Sequence, residues 1–508
     1  MQRTVSVIVL LYAIACSSNK SGDNKAPKDA GVTRPTVAPI AMPQTGIDSI
    51  KRINFIYAEG ARDHAKAMAA YNAKSRDWGT VRASDEAALG KDPNHLDAHY
   101  YLGTALAAMG EHAAAVDHFV QALAADYLKY GPLLEKDPDL KTFFTTPHGT
   151  AVTELIAKIK AEYGKRIASG VLLVARRSTF KYDPKPGVQS GSTRGELYAY
   201  DRETRRFYRL THTDHQVAGF VRAPAGNEIA VLGFDKIDHP KEDSAPPLVT
   251  RSWVQVLDTT EWQPVGPKAT STTTARELMV GYGAGDQLLV AAAPANGRFG
   301  TGEPTVSSLD RTTGKLAKVA PTLPSPRIVF SLEEGRVVRV PGDVKAAWAG
   351  DPPTAPTLDV TGKPIAVPLS GAAAQATVSV APDKARIAFA TAADPCAKDA
   401  APSLYVADAK TGVLKHVLTA KSRFTTRWID ATTLAYEDGD GAIRLWNAQT
   451  GREDQKIDNK PGLALDVLSL APAPLCRQAP PTVEPAGPGE EPPLPPEEPA
   501  GSGSGAKP

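Results

Sequence analysis

The stretch that decides the fold is Ser403-Leu-Tyr-Val-Ala-Asp408-Ala-Lys-Thr-Gly412. Its apolar half reads as a short strand, and the Asp-x-x-Thr-Gly that follows is typical of a hairpin turn whose glycine needs a positive φ angle. Related turns follow short strands at Asp201, Asp258, Asp310, Asp359, Asp408 and Asn447, with turn glycines at Gly314, Gly362, Gly412 and Gly451.

The spacing of these turns indicates the fold class. From Val171 onward the hydrophobic period changes from helical to alternating, which is typical of an all-β sandwich, barrel or propeller. The turns recur at intervals of about 40 to 57 residues, and this repeat matches a four-stranded blade with variable loops. The sequence therefore predicts a multidomain α plus all-β chain, in which a short helical domain precedes a β-propeller.

A second repeat lies before some of these turns. One copy is Arg222-Ala-Pro-Ala-Gly226-x2-Ile-Ala-Val, and the other is Ala381-Pro-Asp-Lys-x2-Ile-Ala-Phe389. Both copies resemble the Ser-Pro-Asp-Gly-x2-Ile-Ala-Phe motif of TolB-type, WD40-like propellers. The resemblance implies a propeller over residues 169–477 and suggests partners among proteins of the cell envelope.

The number of blades follows from the strands that should lie innermost. Candidate first strands begin near Val217, Arg276, Arg327, Thr377, Thr425 and Leu463. The last of these has no outer strands of its own, whereas the three strands that follow Val171 lack an inner one. Pairing the two sets closes the ring and removes exposed sheet edges. We predict six blades, or seven if residues 345–356 contain a further hairpin.

Residues 47–168 carry helical patterns. The segment from Ile47 to Ala73 predicts one or two amphipathic helices. The motif His99-x2-Leu-Gly-x2-Leu106, followed by Ala115-x3-Phe-x2-Ala122, resembles one tetratricopeptide (TPR) repeat, in which small residues separate two antiparallel helices. The resemblance implies a peptide-binding groove formed by His99, Leu102, Gly103, Leu106 and Phe119. The alternative is a spacer or a packing support for the next domain.

The N-terminus has the form of an export signal. Arg3 precedes an apolar run, which ends in Ala13-Ile-Ala directly before Cys16. This run is well short of the roughly 20 residues that a transmembrane helix needs. The end of the run resembles the lipobox of bacterial lipoproteins, with Ala13 in place of the usual Leu. The resemblance implies a lipidated Cys16 and, because Ser17 follows, an outer-membrane location; cleavage after Ala15 without lipidation is the alternative.

Two low-complexity segments flank the folded part. Residues 16–46 are rich in Ser, Asn, Lys, Gly and Pro, and residues 478–508 are rich in Pro, Glu and Gly. Such segments bury too little apolar surface to fold, so they predict a disordered tether and a disordered tail. The expected layout is a signal peptide (1–15), the lipidated Cys and tether (16–46), a TPR-like domain (47–168), the propeller (169–477) and the tail (478–508).

Charge and motifs restrict the function classes. The formal net charge of the 508 residues is +2, and the only basic run, Arg202 to Arg209, reads as a solvated hairpin. Nucleic acid is therefore not an expected partner, because phosphate binding needs a concentrated basic surface. The sequence contains no nucleophile elbow, His-Glu-x2-His or phosphate loop. No catalytic residue and no cofactor are predicted.

Two further sets of residues are candidate sites. A propeller rim that binds a divalent cation or a polar ligand could form from loop residues, although such loops are also commonly just solvated; the candidates are His212, Asp214, His215, Asp235, Asp238 and His239. Cys396 and Cys476 remain as a possible disulfide of an exported chain. The predicted function is a membrane-anchored scaffold for envelope proteins or peptides. The alternative is a ligand-binding or hydrolytic propeller acting on envelope glycans or peptides.

Overall fold

The structure is a computed structural model. It describes residues 37–50, 59–176, 195–223, 226–238, 248–270, 278–282, 287–292, 305–318, 337–339, 345–349, 357–360, 363–366, 373–383, 385–392, 403–419, 425–437, 442–457 and 463–465. The predicted signal peptide and tail, Cys16, His239, Cys396 and Cys476 lie outside these residues. None of the helices within them is long and apolar enough to cross a membrane.

Six α-helices form the N-terminal part of the described chain: α1 Ala61–Tyr71, α2 Trp78–Lys91, α3 Leu96–Ala108, α4 His112–Ala125, α5 Tyr127–Lys136 and α6 Pro147–Ala168. Side-chain caps set where three of them begin. Asp77 accepts from the Thr80 amide (3.0 Å) before α2, and Thr146 accepts from the Gly149 amide (3.1 Å) before α6. The His95 ring accepts from the Ala98 amide (3.2 Å) before α3. Each cap satisfies an amide that the helix itself leaves unbonded.

The TPR-like motif forms the contact between α3 and α4. Leu102 is 1% exposed and Phe119 is 0% exposed. A Cβ atom on Gly103 would lie 2.7 Å from a ring carbon of Phe119, so only glycine lets the two helices approach this closely. Leu102, Gly103, Leu106 and Phe119 are all buried, and the prediction that they line an open groove is wrong. Their side chains pack against neighbouring helices and do not face solvent. The fifth predicted residue, His99, lines a surface pocket.

The strands begin at Val171. The first twelve are β1 Val171–Arg176, β2 Gly195–Asp201, β3 Arg206–Arg209, β4 Val217–Arg222, β5 Glu228–Asp238, β6 Leu248–Asp258, β7 Ala269–Thr270, β8 Leu278–Tyr282, β9 Leu288–Ala292, β10 Thr305–Leu309, β11 Leu316–Lys318 and β12 Val337–Arg339. The others are β13 Lys345–Ala349, β14 Thr357–Val360, β15 Lys363–Ala366, β16 Ala373–Val380, β17 Arg386–Ala392, β18 Ser403–Asp408, β19 Leu414–Thr419, β20 Thr425–Trp428, β21 Thr433–Glu437, β22 Ile443–Asn447, β23 Arg452–Ile457 and β24 Leu463–Ala464.

These strands form small antiparallel sheets in chain order, which is a propeller-like arrangement. Four sheets have four strands each: β8 to β11, β12 to β15, β16 to β19 and β20 to β23. The remaining strands form one eight-stranded sheet, in which a single residue pair, Gly195 with Val217, joins β2 to β4. Within it the C-terminal strand β24 pairs with β1, opposite Val174 and Ala175. The strand β13 covers residues 345–349 and pairs with β12 and β14.

The recurring Asp turns have the predicted geometry. Gly314, Gly412 and Gly451 have φ angles of 67°, 72° and 70°. In each of these turns the preceding Asp or Asn side chain accepts from the amides two and three residues later, as Asp408 does from Lys410 (3.0 Å) and Thr411 (2.7 Å). The hydrogen bonds from the Thr411 and Lys410 backbone amides lower the pKa of the Asp408 carboxyl. The fourth predicted turn glycine, Gly362, lies outside the described residues.

Residues 42–50, which we call the attachment segment, run between the helices and β3. Ile47 pairs with Phe207 through two backbone hydrogen bonds of 2.8 Å, and the Gly46 amide donates to the Ala124 carbonyl (2.8 Å). The prediction of one or two helices between Ile47 and Ala73 is confirmed for α1, whereas Ile47 itself lies in this bridge and begins no helix; residues 51–58 lie outside the described residues. Thr45 and Gly46 are fixed by contacts although they belong to the predicted tether. The apolar Ile47 side chain packs against the sheet instead of against α1.

One hydrophobic core runs through the helices and the first sheet. It includes Ile159 and Tyr163 of α6 together with Leu172 and Leu197 of the sheet. The Tyr163 ring meets the Tyr208 ring edge-on at 4.8 Å, and its hydroxyl donates to the Ala124 carbonyl (3.1 Å). Because no solvent layer separates the two parts, they pack as one body.

We expect Gly103→Ala to destabilise the helical part by about 1 to 3 kcal/mol, because the new methyl group would overlap the Phe119 ring. The matched control is Gly164→Ala in α6, where no atom lies within 4 Å of the new Cβ. That substitution should stabilise by up to about 1 kcal/mol, since alanine favours a helix. Urea unfolding followed by circular dichroism measures both. Equal midpoints for the two variants would contradict the close α3–α4 contact.

Candidate functional site

A buried carboxylate organises the junction between the helices and the first sheet. Glu196 lies in β2 and is 0% exposed. It accepts hydrogen bonds from the Arg209 guanidinium (3.1 Å), the Thr211 hydroxyl (2.5 Å) and the amides of Thr213 (2.8 Å) and His215 (2.9 Å). These bonds hold residues 211–215 in a tight loop, in which Asp214 and His215 have positive φ angles of 57° and 59°.

A second buried carboxylate meets this loop from the helical side. Asp126 lies between α4 and α5, and its oxygens are 2.9 Å and 3.0 Å from the His212 Nε2 atom. The Arg209 guanidinium is 3.8 Å away. Burial acts to raise the pKa of Asp126, but His212 and Arg209 more than offset this effect and hold the pKa below its usual value. Asp126, Glu196, Arg209 and His212, which we call the junction network, therefore link helices to sheet by charge.

The described rim residues lie in one loop and one strand, and not in two loops as predicted. His212 contacts Asp126 of the helical part, and His215 is buried beside Glu196. Asp235 and Asp238 lie within strand β5, so their predicted position in a loop is wrong; the strand continues because it pairs with β6 as far as Leu248. Within the described ranges, no group of three or more His, Cys, Asp or Glu side chains could hold a metal ion.

The helical part contains a histidine pair. The Nδ1 atoms of His99 and His118 are 2.9 Å apart, and the His99 Nε2 atom is 3.0 Å from the Pro93 carbonyl. Burial lowers the pKa of both histidines, and the neighbouring His99 lowers that of His118 further. One shared proton between the Nδ1 atoms satisfies both rings when they are neutral.

A second polar cluster is buried between α1, α2 and α3. The His64 Nδ1 atom is 2.8 Å from one oxygen of Asp85, and the His64 and His95 rings are 4.6 Å apart. The other Asp85 oxygen is buried and has no hydrogen-bond partner among the described residues. Burial raises the pKa of Asp85. Burial, together with the nearby His64, lowers the pKa of His95 to about 4. Sequence patterns missed this cluster because its members come from three helices.

Two surface pockets lie along the attachment segment. The smaller has a volume of about 160 Å³, and we call it the histidine pocket; it is lined by Gln44, Gly46, Ile47, Asp48, Pro93, Asn94, Leu96, His99, Gln121, Ala124, Ala125 and Arg206. The larger has a volume of about 670 Å³, and we call it the basic pocket; it is lined by Met42, Pro43, Gln44, Thr45, Lys158, Ala161, Glu162, Lys165, Arg166, Thr204, Arg206 and Tyr208. Both therefore lie where the predicted tether reaches the folded part.

Comparisons with known proteins give distant likenesses. No protein-family model and no curated protein matches the chain. Among solved structures it is similar to TolB from Acinetobacter baumannii at 11% identity and a TM-score of 0.35, over 60% of this chain and 68% of TolB. It is similar to the tricorn protease (13%, TM-score 0.32, 57% and 26% covered) and to oligogalacturonate lyase from Vibrio parahaemolyticus (11%, 0.29, 56% and 78%). Likenesses at this level assign no activity.

We expect Arg209→Met to destabilise the protein by about 3 to 5 kcal/mol, because it leaves Glu196 and Asp126 buried without the guanidinium between them. Arg205→Met is the matched control, since Arg205 is exposed in the same hairpin. Its effect should stay within about 0.5 kcal/mol. Urea unfolding measures both variants. A loss below about 1 kcal/mol for Arg209→Met would show that the junction network contributes little.

We expect stability to fall as the pH is lowered through the interval in which His95 titrates. The unfolded histidine binds a proton below a pH of about 6.5, whereas the folded one stays neutral down to about 4. The contribution is therefore fully present above about pH 6.5 and is lost progressively towards pH 4, by up to about 3 kcal/mol. His95→Asn keeps the helix cap and removes the titration. Urea unfolding at several pH values should give it a flatter profile.

The control for this experiment is His416→Asn, which removes one histidine from the exposed strand β19. The difference between the His95→Asn profile and the wild-type profile isolates the titration of His95 from that of Asp85, which remains in both chains. If the two profiles run parallel between about pH 4 and 6.5, the assigned pKa of His95 is wrong.

Proposed function

We propose that this protein is a membrane-anchored, extracytoplasmic scaffold that binds a protein or peptide of the cell envelope. The observation that carries the proposal is the junction, where one core and one buried charge network join the helices to the first sheet. A platform of this kind presents surfaces of both parts in a constant relative position. Such rigidity lowers the entropy cost of binding a partner across both.

The proposed anchor is a lipid on Cys16, in the outer membrane. It is supported by the lipobox-like Ala13-Ile-Ala-Cys16 sequence and by the composition of the segment that follows. Two or more acyl chains give stable membrane attachment, whereas one chain gives marginal binding. The tether would then join the folded part at the attachment segment, beside β3.

We propose that the sheets form a six-bladed propeller. Support comes from the four separate four-stranded sheets and from the single residue pair that joins β2 to β4, which divides the eight-stranded sheet into two groups of four. In the first group the C-terminal strand β24 is innermost, followed by β1, β2 and β3. This closure would bring the two ends of the sheet region together.

The histidine pocket is the proposed docking site for the partner, in place of the TPR-like groove. Its side-chain amides, from Gln44, Asn94 and Gln121, can donate to and accept from an extended peptide backbone. Its volume of about 160 Å³ is below the range typical of small-molecule sites, and it suits a single side chain or a chain end. The exposed Gln121 and Asn94 make the pocket reachable by a folded partner.

The test is photocrosslinking in intact cells. A benzoylphenylalanine at Gln121 should form one discrete protein adduct, because this position faces the pocket, whereas the same residue at the exposed turn position Gln449 should not. Asn94→Arg would fill the pocket and should abolish the adduct, while Gln449→Arg should leave it unchanged. The mass of the mature N-terminal peptide in the same sample reports whether Cys16 carries acyl chains.

Two results would overturn the proposal. The first is an equal pattern of adducts from Gln121 and Gln449, which would mean that the pocket selects no partner. The second is a mature N-terminus that lacks acyl groups, or an N-terminus that retains Met1, because either would remove the membrane anchor.

A further inference from the structure

The basic pocket has an excess of positive charge. Four cationic side chains, Lys158, Lys165, Arg166 and Arg206, line it together with one carboxylate, that of Glu162. Its volume of about 670 Å³ falls within the range that accommodates a small ligand. The pocket lies between the C-terminal half of α6, the start of β3 and the attachment segment.

One of the four cations is already neutralised. The Arg166 Nε atom donates to Glu162 (2.6 Å), and its Nη1 atom contacts Asp201 (3.4 Å) and Glu203. These carboxylates, Glu162 first, raise the pKa of Arg166 further above its usual value. Arg166 therefore holds the wall of the pocket and is not free to bind an added anion.

The other three cations face no carboxylate partner in the described part of the chain. The Arg206 guanidinium donates to the carbonyls of Thr45 (2.7 Å) and Gly46 (2.6 Å), which fixes its position but leaves its charge unbalanced. Lys158 and Lys165 are exposed on α6. They are seven residues apart, about two helical turns, so they project from the same face. These three positive charges exceed by one the net charge of −2 that Arg166 and its three carboxylates carry together, so the open pocket keeps a net positive charge that attracts an anion.

We propose that the basic pocket binds the phosphate of an anionic phospholipid headgroup in the membrane to which the chain is tethered. The proposal rests on the lipid anchor of the proposed function. A lipid headgroup and free phosphate would both present a phosphate anion to this pocket. The lipid is the favoured source because the proposed tether holds the chain at the membrane. Roughly 25 residues separate Cys16 from Met42. A flexible linker of that length has a root-mean-square reach of about 30 Å, which would keep the pocket near the bilayer surface.

Two observations strengthen the lipid as occupant. Met42, at the rim of the pocket and at the end of the predicted tether, is a large apolar side chain that is 43% exposed. It can contact the acyl region beside a bound headgroup. The attachment segment itself forms one wall of the pocket through Gln44 and Thr45. A tether that continues from this wall would keep the pocket close to the membrane.

The test uses the full acylated chain, inserted through its own N-terminus into vesicles. One set of vesicles is phosphatidylcholine alone, and the other contains phosphatidylglycerol as well. Hydrogen exchange is measured for residues 156–168 and 203–208. We expect protection of both stretches with phosphatidylglycerol only. Inorganic phosphate and glycerophosphoglycerol are added to the neutral vesicles in separate samples, and they test whether a soluble phosphate gives the same protection.

The informative variant is the double substitution Lys158→Gln and Lys165→Gln. Each lysine near an anionic surface contributes enough that losing two should weaken protection about thirty-fold. The matched control is Lys136→Gln with Lys141→Gln, which removes two exposed lysines of the same helical part away from the pocket. The control should keep the protection, because it lowers the net charge equally without changing the pocket.

Each outcome decides the proposal. Protection that needs phosphatidylglycerol and is lost in the pocket variant alone supports it. Equal loss in both variants overturns it in favour of general charge attraction, and no protection overturns it outright. Protection by inorganic phosphate as strong as that by phosphatidylglycerol overturns the lipid as the source. If the chain does not float with neutral vesicles, the anchor and thus the proposed function fail, and binding of glycerophosphoglycerol to the unanchored chain then decides the pocket separately.

Discussion

The carboxylate of Glu196 is the group on which the junction depends. A charge with no exposure to solvent is costly unless it is fully bonded, and Glu196 meets that cost with a guanidinium, a hydroxyl and backbone amides from one short loop. The same bonds determine where Arg209 and His212 lie, and so they bring both within reach of Asp126. Helices and sheet are therefore joined by a polar contact that requires one geometry, in addition to an apolar core that would tolerate several.

The attachment segment adds a third component to this junction. Gly46 has a φ of 72°, and a Cβ atom there would lie 2.8 Å from the Phe207 carbonyl oxygen and 2.9 Å from the Tyr208 ring. The backbone of this segment is thus pressed between β3 and α4, where a side chain would not fit. Both surface pockets depend on it, since its residues form a wall of each. The two proposed binding surfaces therefore share a wall that the attachment segment forms.

Local chemistry was predictable from the sequence, and so was the pairing of the strand at Leu463 with the first strands, whereas the side-chain contacts between helices and sheet were not. The Asp turns depend on residues within five positions of each other, so their positive φ angles at Gly314, Gly412 and Gly451 followed from the motif. The TPR-like motif correctly indicated close helix packing at Gly103, but the helices that cover it, and hence the loss of the groove, are set by distant residues. Arg209 belongs to a basic run that reads as solvated, and its two buried partners lie 13 and 83 positions away. The charged Glu196 inside an otherwise apolar stretch of β2 was the one signal in the sequence of a buried network.

The pairing of β24 with β1 has a consequence for how the chain is made. Residues 463–464 lie beside Val174 and Ala175, and the Arg427 guanidinium donates to the carbonyls of Leu465 (3.0 Å) and Leu172. During synthesis, β1 therefore emerges long before its neighbour β24 exists. Contacts between such distant parts of a chain form slowly, and an unpaired strand edge can meanwhile template aggregation. The first strands of the sheet therefore stay without this partner, packed against the helices, until almost the whole polypeptide has been synthesised.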